Sequence, residues 1–352
     1  MQKDCKTTEI TFERVDIGLL NTLEEAKKSS ILSKIGNTPI VKLERIKSYI
    51  GIPRNITLWA KLEGFNPGGS VKDRPAFFMI EDGVKTGKLT RDKILIDSTS
   101  GNTGIAYAMI CAVLGIKVIL CIPANASFER LKILTIFGAE LRLTNPLEGS
   151  DGAIIEARKI YESNPSKYFK PDQYSNQANP LSHYYTTALE IWRDTGGNID
   201  FFMGGVGTGG VIMGNGRRLR ELNKNIKIIA VEPEEPIHGL EGLRNTNYSY
   251  IPPIFDVSFP DMYIRVRTED AYHMCRLLAL KEGLFVGGSA GAVMKAAEIF
   301  VKNYLIDGSY PRKDYNIVLL FPDSGDRYFS SRLWEDKKFA DILSKIRWKK
   351  DS

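Results

Sequence analysis

Histidine is scarce in this sequence: His183, His238 and His273 are the only three in 352 residues. No two of them stand at the spacing of a metal-binding pair, so neither a zinc centre nor a Ser/His/Asp triad is favoured, and no resident metal is expected. Cysteine is also sparse. Cys5, Cys111, Cys121 and Cys275 lie far apart with no CxxC pair. Runs such as "YAMICAVLGI" and "KVILCIPA" read as buried structural thiols, which suits a reducing cytosol. No apolar run approaches the ~20 residues that cross a bilayer. The N-terminus "MQKDCKTTEITFERVDIGLL" lacks the basic start and apolar stretch of a signal peptide. A cytoplasmic protein with no membrane partner is expected. Net charge is only +6 and scattered. The one basic cluster, "KIRWKK" (345–350), reads as a solvated helix end rather than a nucleic-acid patch.

What the sequence does have is alternation. Strand-like runs "ITLWAKL" (56–62), "KILIDS" (93–98), "KVILCIP" (117–123), "IDFFMGG" (199–205), "IKIIAVE" (226–232) and "YNIVLLF" (315–321) are separated by helical stretches. Strand then helix, repeated, predicts an α/β protein with largely parallel sheets, in which ligands gather at the carboxyl ends of the strands. Residues 1–30 read as an extension with some helical character.

Three stretches carry chemistry. "GVGTGG" (205–210) follows a strand and precedes a helix, the arrangement that binds a phosphate on free backbone N–H groups. A dinucleotide is one option and plain tight-turn glycines another. "STSGNTG" (98–104) brings several hydroxyls and an amide to a helix start. Capping needs one such residue, so the remainder suit a carboxylate or phosphate. In "GFNPGGSVKDRPA" (64–76) a tight corner leads to Ser70 as the expected N-cap, with Lys72 and Pro75 in the first helical turn. A cation is disfavoured there. Either Lys72 is a tolerated surface charge, or it is held for chemistry: an amine kept neutral forms imines. Pyridoxal phosphate would use all three stretches at once.

"NPGGSVKDRPA", "TSGNTGIA", "GVGTGGVIMG", "EGLFVGGSAGA" and "PDSGDRY" occur in the order and spacing of cysteine synthases, to which cystathionine β-synthases are related. The chain, from about Ile35 to Ser330, thus resembles the fold-type-II pyridoxal-phosphate enzymes. This likeness implies two open, twisted, mostly parallel sheets with the cofactor, pyridoxal 5′-phosphate, between domains. A larger domain would take 31–72 plus 181–335, a smaller mobile domain 73–180, and 336–352 a tail. The resemblance further implies that Lys72 is the catalytic residue and holds the cofactor as an imine. Asn102 would bond its 3′-oxygen, and Gly207, Thr208, Gly209, Gly210 and Val211 would cradle its phosphate. Val211 replaces a threonine common in the family, so one hydroxyl contact is missing. Ser289 would face the ring nitrogen. Thr99, Ser100, Gly101, Asn102, Thr103 and Gln173 would bind the substrate carboxylate.

The implied reaction is β-replacement through an aminoacrylate, making L-cysteine from an activated serine and sulfide in a homodimer. Other nucleophiles or directions use the same residues: cystathionine, 2,3-diaminopropionate, or cysteine breakdown releasing sulfide. A non-catalytic relative keeping the fold is a further alternative, against which the intact Lys72 speaks. In "IHGLEGLRNT" (237–246) the chain departs from acetylserine enzymes, whose loop there is uncharged. Arg244 resembles the arginine with which O-phosphoserine-using cysteine synthases hold a phosphate leaving group. Its plain alternative is a surface ion pair with Glu241 at helical spacing.

Overall fold

In the computed structural model, residues 15–99, 101–306 and 314–335 are described. Cys5, Ser100 and the basic cluster at 345–350 lie outside them. The strands are β1 Ile40–Lys42, β2 Ile56–Leu62, β3 Ile94–Ser98, β4 Val118–Pro123, β5 Glu140–Thr144, β6 Tyr168–Phe169, β7 Phe201–Gly205, β8 Lys227–Pro233, β9 Met262–Val266 and β10 Tyr315–Phe321. They form a six-stranded sheet in the order β1-β2-β10-β7-β8-β9 and a four-stranded sheet in the order β5-β4-β3-β6. Every pairing is parallel except that of β1 with β2.

Parallel strands covered on both faces are apolar throughout rather than alternating. Thus "VILCIP" of β4 is buried at every position, and β10 at all but Asn316. Leu319 of β10 is in register with Ala60 of β2 and Met203 of β7, which fixes the centre of the larger sheet. One face carries the helices Thr268–Glu282 and Gly288–Phe300, and the other those at 188–194 and 210–222. The smaller sheet is packed by Asp73–Lys85, Asn102–Leu114 and Phe128–Ile136. The helix Asn102–Leu114 is apolar all round, as burial on every side demands.

The helical character expected before residue 30 is the helix Ile17–Ser29; it buries Leu19 and Leu23 in the smaller sheet's core. Cys111, Cys121 and Cys275 are buried free thiols, and burial pushes the Cys121 and Cys275 thiols up to about 12. Among the described residues no helix is long and apolar enough to cross a membrane.

Candidate active site

Lys72 comes ten residues after β2 ends, past a corner that only glycine can make. A Cβ on Gly68 would lie 2.4 Å from Asp73 Oδ1. One on Gly69, which has φ +80°, would lie 2.2 Å from Arg327 Nη2. The expected cap is displaced by two residues. The helix starts at Asp73 with Lys72 as its flanking residue, and Ser70 Oγ accepts the Lys72 N–H at 3.2 Å instead of capping. Val71 N–H reaches Pro322 O at 2.7 Å, so the turn is pinned to the end of β10. Burial lowers the pKa of the Lys72 amine, against the opposite pull of the Asp323 carboxylate. The balance shifts toward the neutral, nucleophilic amine. The acid that the helix start calls for is Asp73, whose carboxyl burial raises to about 7 although it accepts the Gly68 N–H.

Behind this turn lies a charge cluster that no local sequence pattern announced. Arg74, 1 % exposed, donates to Glu63 at 2.6 Å and 2.8 Å and to Glu190 at 2.6 Å and 2.8 Å. Lys61 Nζ adds a bond to Glu190 at 2.7 Å. Burial would raise the Glu190 carboxyl, yet Arg74 and Lys61 hold it at about 2. These buried ion pairs, with Asp194 a further 3.7 Å from Lys61 Nζ, clamp the helix that follows Lys72 to β2 and to the helix Ala188–Asp194.

The loop after β7 leads into the helix Gly210–Leu222. A Cβ on Gly207 would stand 2.3 Å from Gly242 O, and one on Gly210 2.0 Å from Asn179 Oδ1. Gly209 has φ +87°. Among the described residues, no protein acceptor takes the N–H groups of Gly207, Thr208 or Gly209. Thr208 Oγ1 accepts from Asn179 at 3.0 Å. This is a cradle of glycines with backbone donors at a helix N-terminus, which suits a phosphate.

The loop after β3 divides its labour. Thr99 Oγ1 accepts the N–H groups of Gly101 and Gly104 at 3.1 and 3.0 Å, so its hydroxyl is engaged by the start of the helix, whose N-cap position is Gly101. Gly101 has φ +152°, and a Cβ there would lie 2.7 Å from Arg130 Cδ. Asn102 and Thr103 do face a cavity, and Thr103 Oγ1 donates to Gln173 Oε1 at 2.9 Å. Ser100 lies outside the described residues.

These groups meet around two adjoining cavities. One of about 50 Å³ is lined by Lys72, Asn102, Gly207, Gly209, Val211 and Ser289. Another of about 430 Å³ adds Thr103, Gln173 and Arg244 to Lys72 and Asn102. The larger is of ordinary small-molecule size, ~300–1,000 Å³. Arg244 is not paired with Glu241, because 237–246 is not helical and Glu241 is taken by Arg130 across the cavity. Arg244 instead lies 4.9 Å over the Tyr174 ring and donates to its hydroxyl at 3.1 Å.

The donor set fits pyridoxal phosphate: a depressed lysine amine for the aldehyde, a glycine cradle for the phosphate, an amide and a neutral hydroxyl for the ring. The family model "Pyridoxal-phosphate dependent enzyme" matches residues 31–323. The cysteine synthase of Aquifex aeolicus is 48% identical over 88% of this chain and 93% of its own. The solved cysteine synthase of Entamoeba histolytica covers 98% of each chain at 35% identity, with a TM-score of 0.81. A solved O-acetylserine-dependent cystathionine β-synthase of Helicobacter pylori matches at 35% identity and TM-score 0.79, covering 87% of this chain and 99% of its own. With cradle, lysine and sheets all of this kind, the chain belongs to the pyridoxal-phosphate-dependent enzymes of the cysteine synthase and cystathionine β-synthase family.

Proposed function

We propose that this protein makes L-cysteine by β-replacement, from an activated serine (O-phosphoserine or O-acetylserine) and sulfide. The observation that carries the reading is Lys72: an amine depressed by burial, on the wall of a cavity shared with the glycine cradle and the carboxylate-suited loop. Bound pyridoxal phosphate supplies an electron sink for bonds broken at Cα and Cβ of an amino acid. Residues 207–211 would hold its phosphate, Asn102 its 3′-oxygen and Ser289 its ring nitrogen. A serine hydroxyl there, unlike a carboxylate, does not enforce a protonated ring, which tempers the sink and suits elimination.

Thr103, Gln173 and the backbone donors at the start of the helix Asn102–Leu114 hold the substrate carboxylate. Lys72, neutral when freed, removes the α-proton as general base. The leaving group departs from Cβ with the bonding pair, sulfide adds at Cβ, and Lys72 returns the proton to Cα. Arg244 faces the side-chain end of the cavity and would receive a phosphate leaving group. The unit of the smaller sheet, 73–180, closes over the bound amino acid and excludes water. A cytoplasmic homodimer completes the reading; the exposed Phe65, Phe285 and Phe329 supply apolar surface for a second copy.

A second reading, cystathionine formation with homocysteine as the thiol, is supported by the cystathionine-forming Helicobacter pylori neighbour. Both are tested together by incubating the holoprotein with O-acetylserine, O-phosphoserine, serine or cysteine, each with sulfide or homocysteine, and identifying the product. Cysteine as the main product supports the first reading, and cystathionine the second. Loss of neither leaving group would refute both.

A further inference from the structure

The stretch "PDSGDRY" (322–328) sits where both cavities meet: Asp323 lines the smaller and Tyr328 the larger. β10 ends at Phe321, and the chain turns through Gly325–Tyr328 with Arg327 6 % exposed. Arg327 Nη1 donates to Asn102 Oδ1 at 2.6 Å, and Nη2 donates to the Gly68 carbonyl. Asn102 Nδ2 donates to Asp323 Oδ2 at 2.7 Å, the oxygen that also accepts the Tyr328 hydroxyl at 2.5 Å. Asn102 and Lys72 each line both cavities.

An asparagine amide turned end for end has nearly the same shape, so its orientation depends on its partners. A guanidinium can only donate and a carboxylate can only accept. With one at each end, the amide has a single satisfactory orientation: Oδ1 toward Arg327 and Nδ2 toward Asp323. One N–H of Nδ2 is then left for an acceptor in the cavity. The cation on Oδ1 also polarises the amide and strengthens that N–H as a donor.

We propose that Arg327 is a positioning residue that, with Asp323, locks the Asn102 amide so that the cavity receives an N–H and never a carbonyl oxygen for the 3′-oxygen of pyridoxal phosphate. This rests on the cofactor reading above. Were the amide free to rotate, its carbonyl would repel the negatively charged 3′-oxygen for part of the time. The bond from Arg327 to Gly68 is a separate, structural share of the residue's work. It ties the turn before Lys72 to the same guanidinium and is read in thermal stability.

The test uses the wild type, Arg327→Met, Arg327→Lys, Asn102→Ala and the double variants Arg327→Met/Asn102→Ala and Arg327→Lys/Asn102→Ala. Each is stripped of cofactor and titrated with pyridoxal phosphate, recording the dissociation constant, the position of the visible band and Tm. Arg327→Met should weaken cofactor binding about tenfold, as loss of one charge-assisted donor implies, and shift the band. Arg327→Lys should recover part of both. In the Asn102→Ala background, Arg327→Met should change binding by less than about twofold, since the residue it acts through is gone. Should Arg327→Met not fold, Arg327→Lys is judged by the same criteria in both backgrounds. An unmoved band with binding within about twofold of wild type overturns the inference. So does an equal loss in both backgrounds, which would leave Arg327 as a staple of the Gly68–Gly69 turn. A wild type that takes up no cofactor refutes the cofactor reading and this inference with it, whereas the preceding two outcomes refute the inference alone.

Discussion

A lysine amine in water is almost wholly protonated at neutral pH, and a protonated amine neither forms an imine nor removes a proton. At the wall of the cavity, burial shifts Lys72 toward the neutral form and outweighs the attraction of Asp323. In the sequence it is the two glycines and the two loops accompanying Lys72 that single it out, and the structure brings them to one cavity. Arg327 and Arg74 were not legible, because each acts on residues far away along the chain: Asn102 in one case, Glu190 in the other. For Arg244 the sequence leaves an ion pair with Glu241 open, and the structure removes it, since Glu241 is paired with Arg130. Charge-assisted bonds from its half-buried guanidinium to phosphate would contribute on the order of 1.5–3 kcal/mol. Arg244→Ala should therefore lower kcat/KM for O-phosphoserine roughly tenfold to hundredfold, and for O-acetylserine by far less. Steady-state kinetics on the two substrates check this. Equal losses would return Arg244 to a structural role as the partner of Tyr174.

At the level of elements, the loop between β3 and the helix Asn102–Leu114 puts a helix start and the proposed carboxylate site in one turn. Several hydroxyls signal binding, but nothing in the spacing says which would serve the helix start; in the fold it is Thr99 that accepts the Gly101 and Gly104 N–H groups. Gly101 bends the chain between them at a φ of +152° that other residues avoid. Gly101→Ala adds strain on the order of 1–3 kcal/mol and pushes against Arg130. The expected result is a KM for the amino acid raised about tenfold or more, with cofactor affinity kept within about twofold. A loss of both together would mean that the loop does not serve the carboxylate separately. The ion pair between Arg130 and Glu241 joins the helix Phe128–Ile136, beside the smaller sheet, to the 237–246 loop across the cavity. If 73–180 closes as a unit, structures with and without a bound amino acid should differ by a rotation of that unit. Superposable structures would count against closure.

The whole molecule was legible where strands are long and apolar, and obscure where they are short or half exposed. β2 and β10 were placed at their observed limits. β1 and β6, three and two residues long, carry no periodicity to detect, and β5 is largely exposed. Acid stability is also a property of the whole. His183, at the start of the π-helical turn His183–Thr187, is buried, and burial lowers its pKa to about 3 from 6.5. The unfolded chain then binds its proton at a higher pH than the folded chain does. Its contribution to stability is complete above pH 6.5 and is lost as pH falls toward 3. Asp73 and Asp97, raised by burial to about 7 and 6, act in the opposite sense, so only a comparison isolates the histidine. Between pH 6.5 and 4.5, wild type should lose up to about 2–3 kcal/mol relative to His183→Gln, at no more than ~1.36 kcal/mol per pH unit. Denaturant titrations across that range measure it, and parallel pH profiles would contradict it.

The central claim is that Lys72 drives replacement at Cβ of an activated serine. It is tested most directly by supplying wild type and Lys72→Ala, each incubated with pyridoxal phosphate, with O-phosphoserine or O-acetylserine plus sulfide, and measuring free cysteine. Wild type should form cysteine from at least one donor, while Lys72→Ala forms none above background although its Tm stays within a few degrees. Cysteine formation by Lys72→Ala at near wild-type rates, or none by a wild type that has bound its cofactor, would contradict the account.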